Sequence, residues 1–315
     1  MCTTSGQTMS SSQAALTPQP DPAQAARADG ILFGVTFLAG LGWIFSKEAV
    51  ASWPPLLFIG LRFLLASLIL VIVGWRFMQR TSARNWLRAL VTGGLMSLAM
   101  VCWVFGLSHA TQIGVGAFLA CFGVLLVPVV GWFMYRQRSP LSVWLALLIA
   151  LIGVVCLAWD RGFDLELAHI WFLLSALLFA ILFNLNTRYA ASLPVMQLVA
   201  IQLAVVGAVN MILSLITESW PQSTTVTMWG WFFASVLIAT SLRFFLQIYA
   251  QGQTTASRAA LVMMMEPVWT AVMAALWYGE TMSRNQLLGC SLIFLALIVN
   301  RWRQVASLLR GKSKI

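Results

Sequence analysis

Charged side chains are scarce in this chain of 315 residues. Asp, Glu, Lys and Arg together make up 9% of the sequence, whereas hydrophobic residues make up 60%. Soluble domains contain about 25% charged residues, and a soluble fold could not solvate a surface with so few of them. The composition therefore excludes a soluble protein and predicts an all-α polytopic membrane protein. Ten spans of about 20 residues each fit this length and leave only short loops.

Residues that bind metals or act as nucleophiles are also few. The chain has 2 histidines and 5 cysteines, and no cysteine pair has the spacing of a metal or redox site. His109 and His169 stand at the ends of predicted spans, with no Ser, Cys or carboxylate placed to complete a triad or a metal set. The sequence thus predicts no cofactor, no metal site and no enzymatic activity. An integral-membrane enzyme, the rival class, would need a clustered acid–base or metal set near an interface.

Acidic residues are outnumbered, with 9 Asp and Glu against 19 Lys and Arg and a net charge of +10. Such an excess suggests nucleic acid in a soluble protein, but cytoplasmic loops of membrane proteins also collect Lys and Arg. With a cytoplasmic N-terminus, 14 of the 19 basic residues fall in cytoplasmic segments and three in external ones, and Arg62 and Arg243 lie within spans. This asymmetry places both termini in the cytoplasm and argues against a nucleic-acid partner.

Apolar runs divide the chain into ten predicted spans. They are residues 30–50, 55–76, 88–108, 113–135, 141–159, 168–187, 195–217, 229–250, 257–278 and 285–302. The junctions near His109–Ile113 and Gly252–Ser257 are very short, and merging either pair of spans would give nine. The predicted organisation is a disordered cytoplasmic tail (1–29), two five-helix repeats (30–160 and 161–302) and a basic cytoplasmic tail (303–315).

The two halves resemble each other weakly. Residues 117–155 and 259–298 both begin with small apolar residues and continue through a proline, a polar break and a shorter apolar span. The prolines, Pro128 and Pro267, are expected to kink their helices. Five spans per half is an odd number, so the second half must be inverted in the membrane. Inverted repeats of this kind place a single site at the midplane of many secondary transporters.

Residues 244–272, FFLQIYAQGQTTASRAALVMMMEPVWTAV, resemble the signature region of the EamA-type family in the drug/metabolite transporter superfamily. In that family, Leu-Gln, an aromatic residue and Ala-Gln precede a short polar loop, Ala-Ala-Leu and Glu-Pro-Val. The matching positions are Leu246, Gln247, Ala250, Gln251, Ala259, Ala260, Leu261, Glu266, Pro267 and Val268. Gly42-Trp43 with Lys47 in the first span, and Arg62-Phe63 in the second, are also similar to the family pattern.

The resemblance covers residues 30–302 and implies ten helices in two inverted repeats. It also implies export of a metabolite or drug across a bacterial inner membrane. The chain departs from the family at Arg243, where the region is normally apolar, and at Arg136–Arg138, where a Glu often closes the fourth helix.

Glu266 and Arg243 are candidate substrate-binding or coupling residues, because ionisable groups inside a membrane need a partner, a water-filled cavity or a function. Glu266 shares a predicted helical stripe with Thr270, and Arg243 shares one with Gln247. Helical rise places Arg243 and Glu266 within about 6 Å in depth, so an ion pair is predicted. Glu266 is then either a proton-coupled carboxylate or a structural acid neutralised by arginine.

Lys47 and Arg62, in the outward halves of their spans, are further candidates, as is Trp43 on the same helical stripe as Lys47. Trp43 could stack on a substrate. Lys47 either faces the cavity or, as the favoured alternative, extends to the outer interface beside Glu48. Arg62 lies too deep to reach the interface and is predicted to line a pore or tether helices.

These observations predict a secondary transporter that works by alternating access. Spans 1, 2, 3, 4, 6, 8 and 9 should line the cavity, with spans 5 and 10 peripheral. Three basic groups against one acid favour a small anionic or zwitterionic metabolite, such as an amino acid. A multidrug or nucleotide-sugar carrier and a non-transport membrane protein remain alternatives. The predicted partners are the small-molecule substrate and the lipid bilayer, and a homodimer is an open alternative.

Overall fold

The computed structural model describes residues 22–50, 53–77, 82–109, 113–136, 141–159, 167–220, 225–279 and 284–300, and these contain no strand. The first half comprises α1 (Pro22–Val50), α2 (Pro55–Gly74), a 3₁₀ turn (Trp75–Phe77), α3 (Ala83–His109), α4 (Ile113–Tyr135) and α5 (Leu141–Trp159). The second half comprises α6 (Leu167–Ala190), α7 (Val195–Thr217), α8 (Val226–Val236), a π-helical segment (Leu237–Leu242), α9 (Arg243–Gln251), α10 (Ala256–Met263), α11 (Glu266–Tyr278) and α12 (Arg284–Asn300).

Within the described residues, seven helical stretches are long and apolar enough to cross a membrane. Two shorter apolar helices, Phe122–Tyr135 and Leu141–Gly153, accompany them. Helices suit this solvent because every backbone bond is satisfied within the segment. Large apolar side chains such as Ile72, Val73 and Ile216 cover the outside of the bundle. This surface fits a lipid environment and agrees with the predicted all-α membrane protein.

The first helix begins earlier than predicted. Residues 22–29 are helical, and Ala28 and Asp29 are buried, so the prediction of a disordered tail through residue 29 is wrong for these residues. Pro22 is the first helical residue, a position where its missing N–H group costs nothing. Apolar composition locates the lipid-facing part of a helix but not the polar turns that extend it. Residues 1–21 and 303–315 lie outside the described residues.

The most extensive helix packing joins one half of the chain to the other. α2 packs along α7, and α5 packs along α12. α4 and α3 both pack on α6, while α1 packs on α11 and on the continuous rod formed by α8, the π-helical segment and α9. The first helix of each half therefore packs on two helical stretches of the other half, α6 on α3 and α4, and α1 on α11 and on α8–α9. The pairs α2–α7 and α5–α12 each join corresponding helices of the two halves. The interior of the bundle is consequently the interface between the halves.

Close contact between α2 and α7 depends on a glycine. A Cβ atom at Gly207 would lie 2.5 Å from the backbone nitrogen of Leu64, a distance that real Cβ contacts do not show. Small residues allow helix backbones to approach in this way inside a membrane. The α2–α7 pair is thus fixed by shape as well as by apolar burial.

Two helical stretches are interrupted where they pass the interior. The π-helical segment Leu237–Leu242 lies between α8 and α9, and a turn at Met264–Met265 separates α10 from α11. Pro267 has no N–H group to donate to the carbonyl of Met263, which explains the second interruption. Pro128, by contrast, lies inside the uninterrupted helix α4.

Polar side chains also join the helices. The side-chain amide of Asn184 on α6 donates to the carbonyl of Val127 on α4 at 2.9 Å. Gln202 on α7 donates to Thr92 on α3 at 2.8 Å and to Asn186 on α6 at 2.7 Å. These bonds join α3, α4, α6 and α7 across the interior of the bundle.

Candidate functional site

A cavity of about 190 Å³ lies at the interface of the two halves. The described residues that line it come from α1, α2, α3, α4 and α6, from the π-helical segment, and from α9, α10 and α11. These elements correspond to spans 1, 2, 3, 4, 6, 8 and 9, the set that the sequence predicts. Described residues of α5 and α12 contribute none of its lining.

Much of the cavity wall is aromatic or sulfur-containing. Trp43 and Trp103 meet edge to face, with ring centroids 5.3 Å apart. The further aromatic and methionine residues of the wall are Phe63, Phe179, Phe183, Phe244, Met96, Met100 and Met263. Such side chains bury apolar surface and adapt to irregular shapes. The wall is therefore suited to a ligand with an apolar body.

Glu266 receives hydrogen bonds on both carboxylate oxygens. The indole Nε1 of Trp43 donates to Oε1 at 2.9 Å. Nη2 of Arg243 donates to Oε2 at 3.4 Å, and this contact is the ion pair predicted from the sequence. The helix interruption at Met264–Met265 puts Glu266 in the first turn of α11, where the helix dipole favours a negative charge.

Arg243 is held loosely. Its guanidinium carbon lies 4.7 Å from the ring centroid of Phe244, and its Nε is buried without a hydrogen-bond partner. Charge-assisted bonds normally span 2.7–2.9 Å, so the 3.4 Å contact with Glu266 is a weak one. One turn further along α9, the Oε1 atom of Gln247 is also buried without a partner. Both unpaired groups belong to residues that line the cavity.

Arg62 is held firmly, and only 6% of it is exposed. Its Nε donates to the hydroxyl of Thr240, Nη1 donates to Ser46 Oγ at 2.8 Å, and Nη2 donates to the carbonyl of Ala239 at 3.3 Å. Its guanidinium carbon is also 5.5 Å from the ring centroid of Phe58. Arg62 thus ties α1 and α2 to the π-helical segment while it lines the cavity.

The π-helical segment supplies two of these acceptors. A π-helix places successive carbonyls differently from an α-helix and is frequent at functional sites. The hydroxyls of Thr240 and Ser241 bond to the carbonyls of Ser235 and Val236, five residues earlier. The carbonyl of Ala239 accepts a hydrogen bond from Arg62.

The ionisable side chains among the described lining residues are Arg62, Arg243 and Glu266. Two guanidinium groups therefore face one carboxylate. The two arginines also interact electrostatically with each other. These groups give the cavity a net positive charge even when Glu266 is ionised, and such a charge attracts anions.

The structure brings five of the seven predicted site residues together. They are Glu266, Arg243, Arg62, Trp43 and Gln247, which all line the cavity. Lys47 is exposed and does not line it. Thr270 does not line it either. Its hydroxyl donates to the carbonyl of Glu266 at 3.0 Å, and its backbone nitrogen lies where α1 approaches at Gly40.

Sequence reasoning missed the contacts that cross between distant helices. The Trp43–Glu266 bond joins α1 to α11, and the Arg62 bonds join α2 to α1 and to the π-helical segment. The presence of Ser46 and Thr240 in apolar spans was a signal, because a hydroxyl in a membrane seeks a partner. In the part of the chain that the structure describes, no group of three or more His, Cys, Asp or Glu could hold a metal ion.

Comparison with known proteins identifies the family. The EamA-like transporter family matches the chain twice, over residues 27–159 and 166–302. The chain belongs to the EamA-like transporter family. The uncharacterized transporter YoaV of Bacillus subtilis (strain 168) is 23% identical over 279 residues, which cover 85% of this chain and 94% of YoaV. The uncharacterized transporter YvbV of the same strain is 25% identical over 276 residues, covering 84% and 88%.

A solved crystal structure shares the fold of this EamA-family chain. Its TM-score is 0.73 at 17% sequence identity, and the match covers 87% of this chain and 98% of the other. An uncharacterized transporter of Archaeoglobus fulgidus is 25% identical over 256 residues. Family and relatives thus indicate a membrane transporter rather than an enzyme.

Proposed function

We propose that this EamA-family protein is a secondary active transporter that exports a small anionic or zwitterionic metabolite, such as an amino-acid-like compound, by alternating access. The observation that carries the proposal is the cavity between the two halves, with two arginines and one glutamate among its described lining residues. A site at such an interface can be exposed to either side when one half rocks against the other.

The proposal includes ten transmembrane helices in two inverted five-helix repeats, with both termini in the cytoplasm of a bacterial cell. The double match of the family, once to each half, supports the repeat. The exchangeable packing of α2 on α7 and of α5 on α12 supports a two-fold relation between the halves. The excess of Lys and Arg in the predicted cytoplasmic segments supports the orientation in the inner membrane.

Export of a lipophilic drug is the second candidate, and the aromatic and methionine wall favours it. Residues such as Trp103, Phe179 and Met100 give the cavity an apolar surface that does not depend on the charge of the ligand. Adaptable methionine-rich surfaces bind varied partners. The charged groups distinguish the candidates, because a lipophilic cation would be repelled by the excess arginine.

Transport by purified protein in vesicles tests the proposal. Radiolabelled anionic, zwitterionic and cationic compounds of similar size are compared for uptake and for thermal stabilisation of the folded protein. We expect anions or zwitterions to be transported, and Arg243→Gln to reduce their transport by about tenfold or more, as removal of a bond to a charged group does. Lys47→Gln is the matched control, because it removes a basic side chain outside the cavity. Transport confined to lipophilic cations would contradict the anionic assignment.

A further inference from the structure

We propose that Arg243 is the residue that binds the anionic group of the substrate, and that the substrate displaces Glu266 from it. In this proposal Arg62 is a positioning residue that holds the site together without contacting the anion. The inference rests on the proposed function, because it assigns roles within the same cavity. Its support comes from how differently the two arginines are bonded.

Arg243 can donate further hydrogen bonds. Its one hydrogen bond to a side chain, to Glu266, is 3.4 Å long, and its Nε lacks a partner. The residue lines the cavity with 19% of its side chain exposed. A guanidinium can bind a carboxylate through two parallel N–H groups, which is both stronger and more specific than one long contact. An incoming carboxylate would therefore compete well against Glu266.

Glu266 can release Arg243 without losing all its partners. Trp43 donates to Oε1, whereas Arg243 contacts Oε2, so the two bonds are independent. The position in the first turn of α11 further stabilises the carboxylate. After the exchange, Trp43 still donates to Glu266, and the helix dipole still favours its negative charge. Separating Glu266 from Arg243 therefore costs little free energy.

Arg62 lacks this freedom. Its Nε, Nη1 and Nη2 atoms already donate to Thr240, Ser46 and the carbonyl of Ala239. Contact with a substrate anion would break bonds between α1, α2 and the π-helical segment. Its positive charge still acts on the cavity, because all three acceptors are neutral.

The ligand chemistry that fits is a single carboxylate on an apolar or aromatic body. Arg243 lies over the ring of Phe244, so the anion site borders the aromatic wall. Phenylacetate presents both features in one small molecule. Phenylacetamide has the same shape without the charge, and phenethylamine carries the opposite charge.

Binding to the purified full-length protein tests the roles, and no transport is needed. Titration of phenylacetate should show binding to the wild type and binding several-fold tighter to Glu266→Gln, because the competing carboxylate is gone. Arg243→Gln should weaken phenylacetate binding by about tenfold or more, the loss expected for a bond to a charged group. Phenylacetamide should bind the wild type and both variants within about twofold, and phenethylamine should bind the wild type and Glu266→Gln less tightly than phenylacetate does.

Arg62 gives a different pattern if it positions the site. Arg62→Gln should lower the melting temperature and weaken the binding of phenylacetamide as well as that of phenylacetate, whereas Arg243→Gln should weaken only the binding of the acid. Lys47→Gln serves as the control and should change neither. If Arg243→Gln does not yield folded protein, Arg243→Lys replaces it. This variant keeps the charge but loses the two-point contact, and should weaken phenylacetate binding by about threefold to tenfold.

The proposal is overturned if phenylacetate fails to bind Glu266→Gln, or if Glu266→Gln weakens its binding as much as Arg243→Gln does. The proposal is also overturned if Arg62→Gln loses binding of phenylacetate but not of phenylacetamide, while Arg243→Gln still binds phenylacetate. Because these titrations measure binding without transport, they distinguish the proposed anion site from the proposed transport function. The predicted binding pattern without uptake of any compound would leave the anion site in place and contradict the transporter assignment.

Discussion

At the scale of single residues, the intramembrane charges were the most informative part of the sequence. The high cost of burying Arg62, Arg243 and Glu266 marks them for a shared function or for mutual neutralisation, and the structure places them around one cavity. Helical rise also gave the approximate depth of Arg243 and Glu266, and they are in contact. Thr270 lies one turn after Glu266 on α11 but does not line the cavity, because its hydroxyl bonds to the carbonyl of Glu266 and its backbone lies against Gly40 of α1. Depth follows from sequence, whereas the helix that covers a given face does not.

The Arg243–Glu266 contact should be detectable as a coupling in stability. Both side chains are about one fifth exposed, at 19% and 22%, so Arg243→Leu should cost about 1–2 kcal/mol rather than the larger cost of breaking a fully buried pair. Replacing both residues, with Arg243→Leu and Glu266→Gln, should recover part of this loss. Thermal unfolding of the wild type, both single variants and the double variant measures the coupling. A double variant whose loss equals the sum of the single losses would show that the contact contributes nothing.

At the scale of helices, apolar runs located the elements but not their irregularities. The junction near Gly252 does separate two helices, as the ten-span division requires, whereas the junction near His109 lies outside the described residues. Pro267 signalled the break before α11 because a proline cannot donate to the preceding turn. The π-helical segment Leu237–Leu242 was not predicted, since its composition does not differ from that of an apolar α-helix. Its hydroxyls and the distant Arg62 stabilise it together, and that combination is visible only in three dimensions.

Two adjacent hydroxyls of the π-helical segment offer a matched comparison. Thr240 and Ser241 each bond to a carbonyl five residues earlier, but Thr240 also accepts a hydrogen bond from Arg62. Thr240→Val should therefore cost about 1.5–3 kcal/mol, because a buried charged donor loses its acceptor. Ser241→Ala should cost about 0.5–1.5 kcal/mol, the ordinary value of a neutral hydrogen bond. Equal melting temperatures for the two variants would show that the Arg62 bond adds no stability.

A second ion pair, at the beginning of α1, joins the two halves. Arg258 near the start of α10 donates to Asp29 through Nε at 2.8 Å and through Nη2 at 2.5 Å. Only 2% of the Asp29 side chain is exposed. Arg258→Gln should therefore destabilise the protein by about 3 kcal/mol, because it removes the cation beside a buried carboxylate. Adding Asp29→Asn should restore part of the melting temperature. A double variant less stable than Arg258→Gln would contradict this explanation.

At the scale of the whole molecule, the topology rests on the distribution of charge. In a variant otherwise free of cysteine, Asp164→Cys should react with a membrane-impermeant thiol reagent in intact spheroplasts. Ser82→Cys and Ser313→Cys should react only after lysis, because the positive-inside rule places both in the cytoplasm. Each variant is compared before and after lysis, so that an unreactive cysteine is recognised. Reaction of Ser313→Cys in intact spheroplasts would contradict an even number of spans.

Transport against a gradient needs an energy source, and Glu266 is the carboxylate among the described lining residues that could carry a proton. In that role it would bind a proton when Arg243 is engaged by substrate and release it when the contact with Arg243 returns. Glu266→Gln fixes a neutral side chain, so it should abolish accumulation driven by a pH gradient.

Exchange of substrate at equal concentrations should continue in this variant, since substrate binding does not require the carboxylate. Reconstituted vesicles with an imposed pH difference separate this role from a structural one, in which accumulation, exchange and thermal stability would all decline together. Accumulation by Glu266→Gln under a pH difference alone would mean that the proton is carried elsewhere. The same cavity would then bind substrate through Arg243 while coupling takes place at another group.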